Sequence, residues 1–341
     1  MPSSPTTAAR LLDLIQSHRI TALIYVAVKL ELAESLRQGP KALDELARTL
    51  DADKGALRRF LNALVTLDLL SLDGPDSYSL TEIGATLDAD APCSLRNWTI
   101  FEVEMLARNW AGMIDTIKSG KTAAELRGFA SSFDMMAQSP QNVDIFNAAM
   151  VDLTRSVTPS IVDAYDFGRF TRLLDVGGGS GELLTHIAKA CPNLQGFVFD
   201  LARCEASARA HLVGQHIDDR VTFISGDFFH AIPAVADAIV LKSVIHDWDD
   251  NRSEVILTNC RKALPGTGTI LLIERIMPDP PRATEEDRAH ALSDLNMLRG
   301  PGGQERTITE FRELLARSGF EFTAAHPAGR FCLIEGRALA G

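Results

Sequence analysis

Cysteine is scarce in this chain and never paired by spacing: Cys93, Cys191, Cys204, Cys260 and Cys332 are scattered, odd in number and without a C-x-x-C. This argues against a disulfide framework and predicts reduced thiols, packed as small hydrophobes in a cytoplasmic protein. Positive charge is in deficit as well. With 34 Lys and Arg against 45 Asp and Glu, the net charge of -11 opposes a polyanionic partner over most of the surface. Long apolar runs are missing: "ITALIYVAVKL" is too short to span a bilayer and carries Lys29, so no membrane is expected. The leading "MPSSPTTAAR" has neither an apolar core nor a cleavage pattern, which speaks against export. No internal repeat or low-complexity tract interrupts the chain. The histidines form no metal-type pair, since His211 and His216, five apart, diverge on a helix, and no metal is expected. What remains is a chain of 341 residues, 46% apolar and 23% charged, long enough for two soluble domains.

Glycine, by contrast, is concentrated. "RLLDVGGGSGELLTHIAK", Arg172 to Lys189, places four glycines between a strand pattern and a helix pattern. Glycine weakens both elements, so its use here calls for a close approach to the backbone. Gly177, Gly179 and Gly181 give G-x-G-x-G, whereas a dinucleotide fingerprint needs a glycine where Glu182 stands. No G-K-[ST] follows, so the segment is not a P-loop either.

The first 90 residues read as short helices, then two helices around a turn at Asp51–Lys54, then a hairpin at "SLDGPDSYSLT". Helix, turn, helix and hairpin make a winged-helix pattern, which raises DNA as a partner. Residues 1–100 carry ten Lys and Arg against thirteen Asp and Glu, however, and Asp51 and Asp53 stand at the start of the would-be recognition helix beside Lys54, Arg58 and Arg59. Phosphate contacts dominate DNA affinity, so a dimerisation role is the better expectation. From Leu95 to about Tyr165 the pattern stays helical, with "SLRNWTIFEVEMLARNWAGMI" and "QNVDIFNAAMVDLTRSVTPSIVDAY" as long amphipathic stretches around a loop, "RGFASSFDMMAQSP". From Arg172 onward short apolar runs alternate with helices, predicting a parallel sheet covered on both faces and closed by an antiparallel pair, "FEFTAAHP" and "RFCLIEGRA". The expected domains are 1–95, a helical linker 96–168 and a nucleoside-binding domain 169–341.

Asp200 ends the second strand of this region, where a carboxylate accepts both hydroxyls of a ribose. Asp227 ends the third, placed for a purine amine with Phe228 against the ring. A nucleoside without phosphates, carrying a cation near an acidic loop, fits this set, and S-adenosylmethionine is such a molecule. From Arg172 to about Gly336 the chain resembles the class I methyltransferase fold. Over its whole length it is similar to small-molecule O-methyltransferases, a group that includes plant caffeic acid and flavonoid enzymes and bacterial polyketide-tailoring enzymes. The matching segments are "LLDVGGGSGELL", "FDLAR", "RVTFISGDFF", "AIVLKSVIHDWDD", "LLIERIMPD" and "GGQERTITEFRELLARSGF". The resemblance implies a doubly wound, seven-stranded Rossmann-like α/β domain and a mainly helical winged-helix dimerisation domain forming a homodimer. It also implies S-adenosylmethionine at Asp175, Gly177, Gly179, Gly181, Asp200, Leu201, Gly226, Asp227, Phe228, Lys242, Ser243 and Trp248.

His246 follows the fourth strand on the rim where ligands bind, and Glu274 and Glu305 point across the same crevice. A carboxylate on an imidazole fixes its tautomer and stabilises the imidazolium. A phenol of pKa about 10 needs such a base at neutral pH. The resemblance assigns His246 the same role, Glu274 and Glu305 the orienting role, and Asp247 a place beside the base. It implies an acceptor pocket drawing on Phe146, Asn147, Met150, Asn296, Met297 and Arg299, with Phe129, Phe133 and Trp110 as further candidates. The turn between Met297 and Glu305 is about one residue shorter than in the plant enzymes. The expected activity is methyl transfer to a phenolic or enolic hydroxyl of a small aromatic or polyketide-type molecule. N- or C-methylation, a non-methylating reaction on the same cofactor, and a DNA-binding regulator are the alternatives.

Overall fold

The structure is a computed structural model that describes residues 5–339; the first four residues of the N-terminal stretch lie outside it. Its chain divides into two compact units, residues 1–111 with 141–156, and residues 112–140 with 157–341. The segment expected as a helical linker is thus shared between them.

In the first unit, strands β1 (Lys41–Ala42), β2 (Leu70–Leu72) and β3 (Ser77–Leu80) form a small sheet in the order β1-β3-β2. The helices Leu43–Thr49 and Lys54–Thr66 pack over it. Asp53 starts the second of them, its carboxylate accepting the Ala56 N–H at 2.8 Å, and Leu57, Leu61 and Leu64 recur on one face and are buried. This is the expected winged helix. The helices Pro5–Gln16 and His18–Lys29 leave Leu11, Leu12, Leu14 and Ile15 exposed. Together Thr6–Lys29 is long and apolar enough, by length and composition, to cross a bilayer, which the short run read from the sequence was not.

The amphipathic stretch after Leu95 is not one helix. It divides into Arg96–Phe101, a π-helical turn Glu102–Leu106, Ala107–Trp110 and, beyond Gly112, Met113–Ser119. The following loop contains a short helix, Ser132–Met136, capped by Ser131.

The second unit is built on β4 (Arg172–Val176), β5 (Gln195–Asp200), β6 (Val221–Ser225), β7 (Ala238–Lys242), β8 (Thr269–Glu274), β9 (Phe320–Ala328) and β10 (Phe331–Ala338). Their order is β6-β5-β4-β7-β8-β10-β9, parallel through β8 and antiparallel at β9 and β10. The strands read as near-continuous Val, Leu and Ile because both faces are covered. Leu173, Val240, Leu271 and Ile273 enter one core, and Leu174, Ile239, Leu241, Ile270 and Leu272 the other. Each such side chain contributes about 1.5–3 kcal/mol on burial. Strand order reverses at β4, so β5 and β7 leave it in opposite directions and a crevice opens at their carboxyl ends.

Candidate active site

β4 runs straight into the glycine loop, which ends at the helix Glu182–Ala190. Gly177, Gly179 and Gly181 all have positive φ. At Gly179 a Cβ would meet nothing within 4 Å, so open space lies over the loop there, and its N–H donates to Asp200 Oδ2 at 2.9 Å. A Cβ on Gly181 would instead press on Val198 at 2.9 Å. The glycines therefore serve the fold's own packing and, at Gly179, leave open space over the loop. Asp175 is buried below the loop with one carboxylate oxygen lacking any hydrogen bond. Burial, then the Asp200 charge, raises its pKa to about 7 against the pull of Lys242.

The other rim residues expected around a nucleoside lie at neighbouring strand ends. Asp200 Oδ1 accepts the Leu201 N–H at 2.7 Å. Asp227 accepts the Phe229 N–H at 2.8 Å and faces His230 Nδ1 at 3.0 Å. Gly226 is required by packing, since a Cβ there would fall 2.4 Å from the Phe199 ring. Phe228 and Phe229 meet Trp248 edge-on at 6.2 and 4.8 Å between centroids. Ser243, with φ 54, follows β7 and turns the chain toward Val244. Lys242 Nζ lies 3.4 Å from Ser243 Oγ, and burial lowers its pKa to about 8 against the charges of Glu274 and Asp175.

His246 sits on a single helical turn, Ile245–Asp247, just past β7. Its Nδ1 is 3.2 Å from Glu305 Oε1 and 3.4 Å from Glu274 Oε2. Nδ1–H donates to Glu305, which leaves Nε2, 3.7 Å from Asp247, as the ring's other nitrogen. Glu274 is 0% exposed, and its second oxygen accepts the N–H groups of Val244 and Ile245 at 3.1 and 2.8 Å. Burial alone would lower the imidazole pKa, but Glu274, the Glu305 hydrogen bond and Asp247 together raise it to about 10. Burial pushes Glu274 up to about 7 and Asp247 up to about 6, each opposed by His246. Burial opposes Glu305 too, yet the bond from His246 brings its pKa below the ordinary value. Ligand atoms of His246, Glu274 and Glu305 all fall within 4.8 Å of one another, a spacing that also suits a cation.

Sequence reasoning missed what holds this trio. Ser293 Oγ donates to Glu305 Oε1 at 2.7 Å, and the Glu305 N–H donates to Asp294 at 2.9 Å. Gln304 N–H donates to the His246 carbonyl at 2.9 Å. Gly303 lies so close to that segment that a Cβ would fall 2.0 Å from the same carbonyl oxygen. Arg306, 0% exposed, donates to the carbonyls of Ile245 and Trp248 at 3.1 and 2.8 Å and to Asp250 at 3.0 Å. The Gly-Gly-Gln-Glu-Arg run was the available signal, since a glycine pair beside a charged pair marks close backbone approach. Asn259 likewise holds Phe228, donating to its carbonyl at 2.9 Å. A capping box between Thr307 and Glu310 fixes the end of the Glu305 loop, and Asp249 caps the helix Asp250–Ala263.

The acceptor candidates are divided by unit. Phe146, Asn147 and Met150 lie on the helix Pro140–Ala164 within the first unit, as does Trp110, and Phe146 packs edge-on against Phe101 at 5.7 Å. Asn296, Met297 and Arg299 lie on the helix Glu285–Arg299 of the second unit. Arg299 is 1% exposed and donates to Asn296 Oδ1 at 2.7 Å, while its carbonyl accepts from Ala123. Phe129 and Phe133 also belong to the second unit, where Phe133 stacks on Trp248 at 6.3 Å.

A glycine loop, acidic strand ends and a carboxylate-held imidazole on one rim of a doubly wound sheet define a nucleoside-dependent group-transfer enzyme. Residues 110–321 match the O-methyltransferase domain family and residues 12–90 the O-methyltransferase dimerisation domain. The chain belongs to this family of S-adenosylmethionine-dependent O-methyltransferases, whose members act on aromatic and polyketide substrates. It is 34% identical over 330 residues to the phenazine O-methyltransferase PhzM of Lysobacter antibioticus, covering 96% of each chain. It is 32% identical to the 8-amino-8-demethylriboflavin N,N-dimethyltransferase of Streptomyces davaonensis, over 98% of this chain and 97% of that one. The solved structure of human N-acetylserotonin methyltransferase in complex with SAM superposes with a TM-score of 0.89, at 26% identity and 100% coverage of both chains, and that of LaPhzM with a TM-score of 0.87, at 34% identity over 97% of this chain and 99% of that one.

Proposed function

We propose that this protein methylates a hydroxyl of a small aromatic or polyketide-type acceptor, with His246 as the general base. The observation that carries the reading is the pairing of His246 Nδ1 with Glu305 and Glu274 at 3.2 and 3.4 Å, which leaves Nε2 to take a proton. The residues present suit S-adenosylmethionine: a buried, unpartnered oxygen on Asp175 complements a cation, and open space lies over Gly179. Asp175, Asp200, Asp227 and Lys242, with the glycine loop, would hold it. Bound there, it supplies an electrophilic methyl group on a sulfonium. The protein's own work is to position the acceptor and to hold its proton. Glu305 keeps the tautomer fixed, Glu274 balances the imidazolium charge, and Gly303 and Arg306 keep the two loops in register. An imidazole of such high proton affinity is a strong acceptor once neutral, so it must lose its own proton before each turnover.

The N-terminal match and the exposed Leu11, Leu12, Leu14 and Ile15 support a homodimer through the first unit. The acidic charge there supports a role without nucleic acid, and the scattered cysteines a cytoplasmic one.

Replacing His246 by Ala is expected to lower turnover of a phenol about 10²- to 10⁴-fold while donor binding by calorimetry stays near the native value. Full turnover in H246A would remove the base assignment. Activity is expected to survive EDTA, and its loss would convert the trio into a metal site. One feature favours a second reading, N-methylation: the carboxylates of Glu274, Glu305 and Asp247 around His246 raise its proton affinity and favour the charged imidazole. A neutral aromatic amine attacks without losing a proton first, so an amine acceptor would leave H246A largely active.

A further inference from the structure

Arg275 is a cation beside the reaction centre with no carboxylate at salt-bridge distance, though the charges of Glu305 and Glu274 reach it across space. It directly follows Glu274, and strand alternation sends its side chain to the opposite face of the sheet, toward Phe331. Its guanidinium lies 4.9 Å from the Phe331 ring centroid, and Lys242 Nζ lies 5.2 Å from the same ring. A ring face attracts a cation but supplies no charge to neutralise it. Among the described residues neither cation has a carboxylate oxygen within 4.0 Å. Glu305 and Glu274 act on Arg275 across space, yet Glu274 is held by two backbone N–H groups and Glu305 by Ser293 and His246. Arg330, next to Phe331, adds repulsion, and burial lowers the proton affinity of Arg275. A partly buried cation in this state gains from pairing with an anion, which a ligand can bring.

We propose that Arg275, with Lys242 beside it, forms a subsite for a carboxylate of a bound ligand at the carboxyl rim of the sheet. A guanidinium fork matches a carboxylate in two parallel hydrogen bonds, which an ammonium or an amide cannot reproduce. The inference rests on the methyl-transfer reading and names the chemistry its ligands bring. Two sources supply that group: the amino-acid end of S-adenosylmethionine, or an acid substituent on the acceptor ring.

The test is calorimetric and uses the full chain. One arm compares S-adenosylmethionine with its decarboxylated analogue. The other compares a hydroxynaphthoate with the matching naphthol, with S-adenosylhomocysteine present. Arg275→Met is expected to weaken the carboxylated member of one pair about tenfold or more and to leave the other member within about twofold, with Arg275→Lys recovering part of the loss. The pair affected identifies the source. Equal affinities within both pairs for the native protein overturn the subsite, whatever the variants do. So does an Arg275→Met protein that binds all four ligands as the native protein does. Failure of the methyl-transfer reading would appear separately, as no label passed to any acceptor despite normal binding.

Discussion

The two units dispose of charge in opposite ways. On the helix Lys54–Thr66 of the first unit, Arg58 meets Asp76 and Lys54 meets Asp44 at 2.5 Å, with every partner well exposed; the Arg58 and Asp76 side chains are 41% and 46% accessible. On the rim of the second unit, His246 meets two carboxylates that are buried completely at the side chain. The surface pairs are the shorter ones, yet their surroundings make them the weaker. In water the attraction is screened and the side chains give up conformational freedom, so an exposed pair contributes about 0–1 kcal/mol. In a low-dielectric crevice even a longer pairing sets protonation states and thereby chemistry. Burial, and not the presence of charge, separates the site from the surface.

The largest way to break that contrast is to remove one buried carboxylate. Glu274→Gln and Glu305→Gln each delete a negative charge that favours the imidazolium. The His246 pKa must therefore fall from about 10, and the alkaline limb of the pH–rate profile must move to lower pH, by about one unit or more. Turnover on the alkaline plateau is expected to drop about ten- to hundredfold, because the base is weaker and less well aimed. Stability follows the same sign. A group whose folded pKa is raised above 6.5 stabilises the fold fully below that value and loses its contribution as pH rises through about 10. Profiles between pH 6 and 10 with an unmoved limb would assign it to another group.

How far the site was legible follows from the range of its contacts. The glycine loop, Asp200, Asp227 and His246 announce themselves locally, each at the end of an apolar run that reads as a strand. Glu274 and Glu305 could be placed because strand order brings their segments to one rim. Gly303, Gln304 and Arg306 could not, since their bonds to the His246 turn join segments some sixty residues apart and leave no periodic trace. The break of the stretch after Leu95 was hidden for the opposite reason. Its helical pattern continues through the π-helical turn, so periodicity alone does not mark that turn. The acceptor residues were named by resemblance, and their division between two units was beyond any local pattern.

A second test sharpens the comparison at an intermediate level of exposure. Asp200 is half-way between the two regimes: partly buried, with its oxygens already accepting the N–H groups of Gly179 and Leu201. Asp200→Ala removes the acceptor expected for a ribose and frees the loop at Gly179. The donor dissociation constant is expected to rise about ten- to hundredfold by calorimetry, the range for a charge-assisted hydrogen bond. Asp200→Asn should fall between, since an amide keeps one acceptor. An unchanged constant in the Ala variant would move the ribose elsewhere.

The smallest effect is expected where the charge is most exposed. Arg58→Ala deletes a pair open to water, so the melting temperature should barely move and turnover should not change. The same variant examines the winged helix as a DNA reader. A recognition helix owes most of its affinity to cations aimed at phosphates, and such affinity falls steeply with salt. Here Arg58 and Lys54 are turned to Asp76 and Asp44. Random duplex at low salt should therefore give no retarded band with the native protein, and none with Arg58→Ala. A band that Arg58→Ala abolishes would show those pairs opening for phosphate, and the exposed cations of the first unit would then carry a function without being buried.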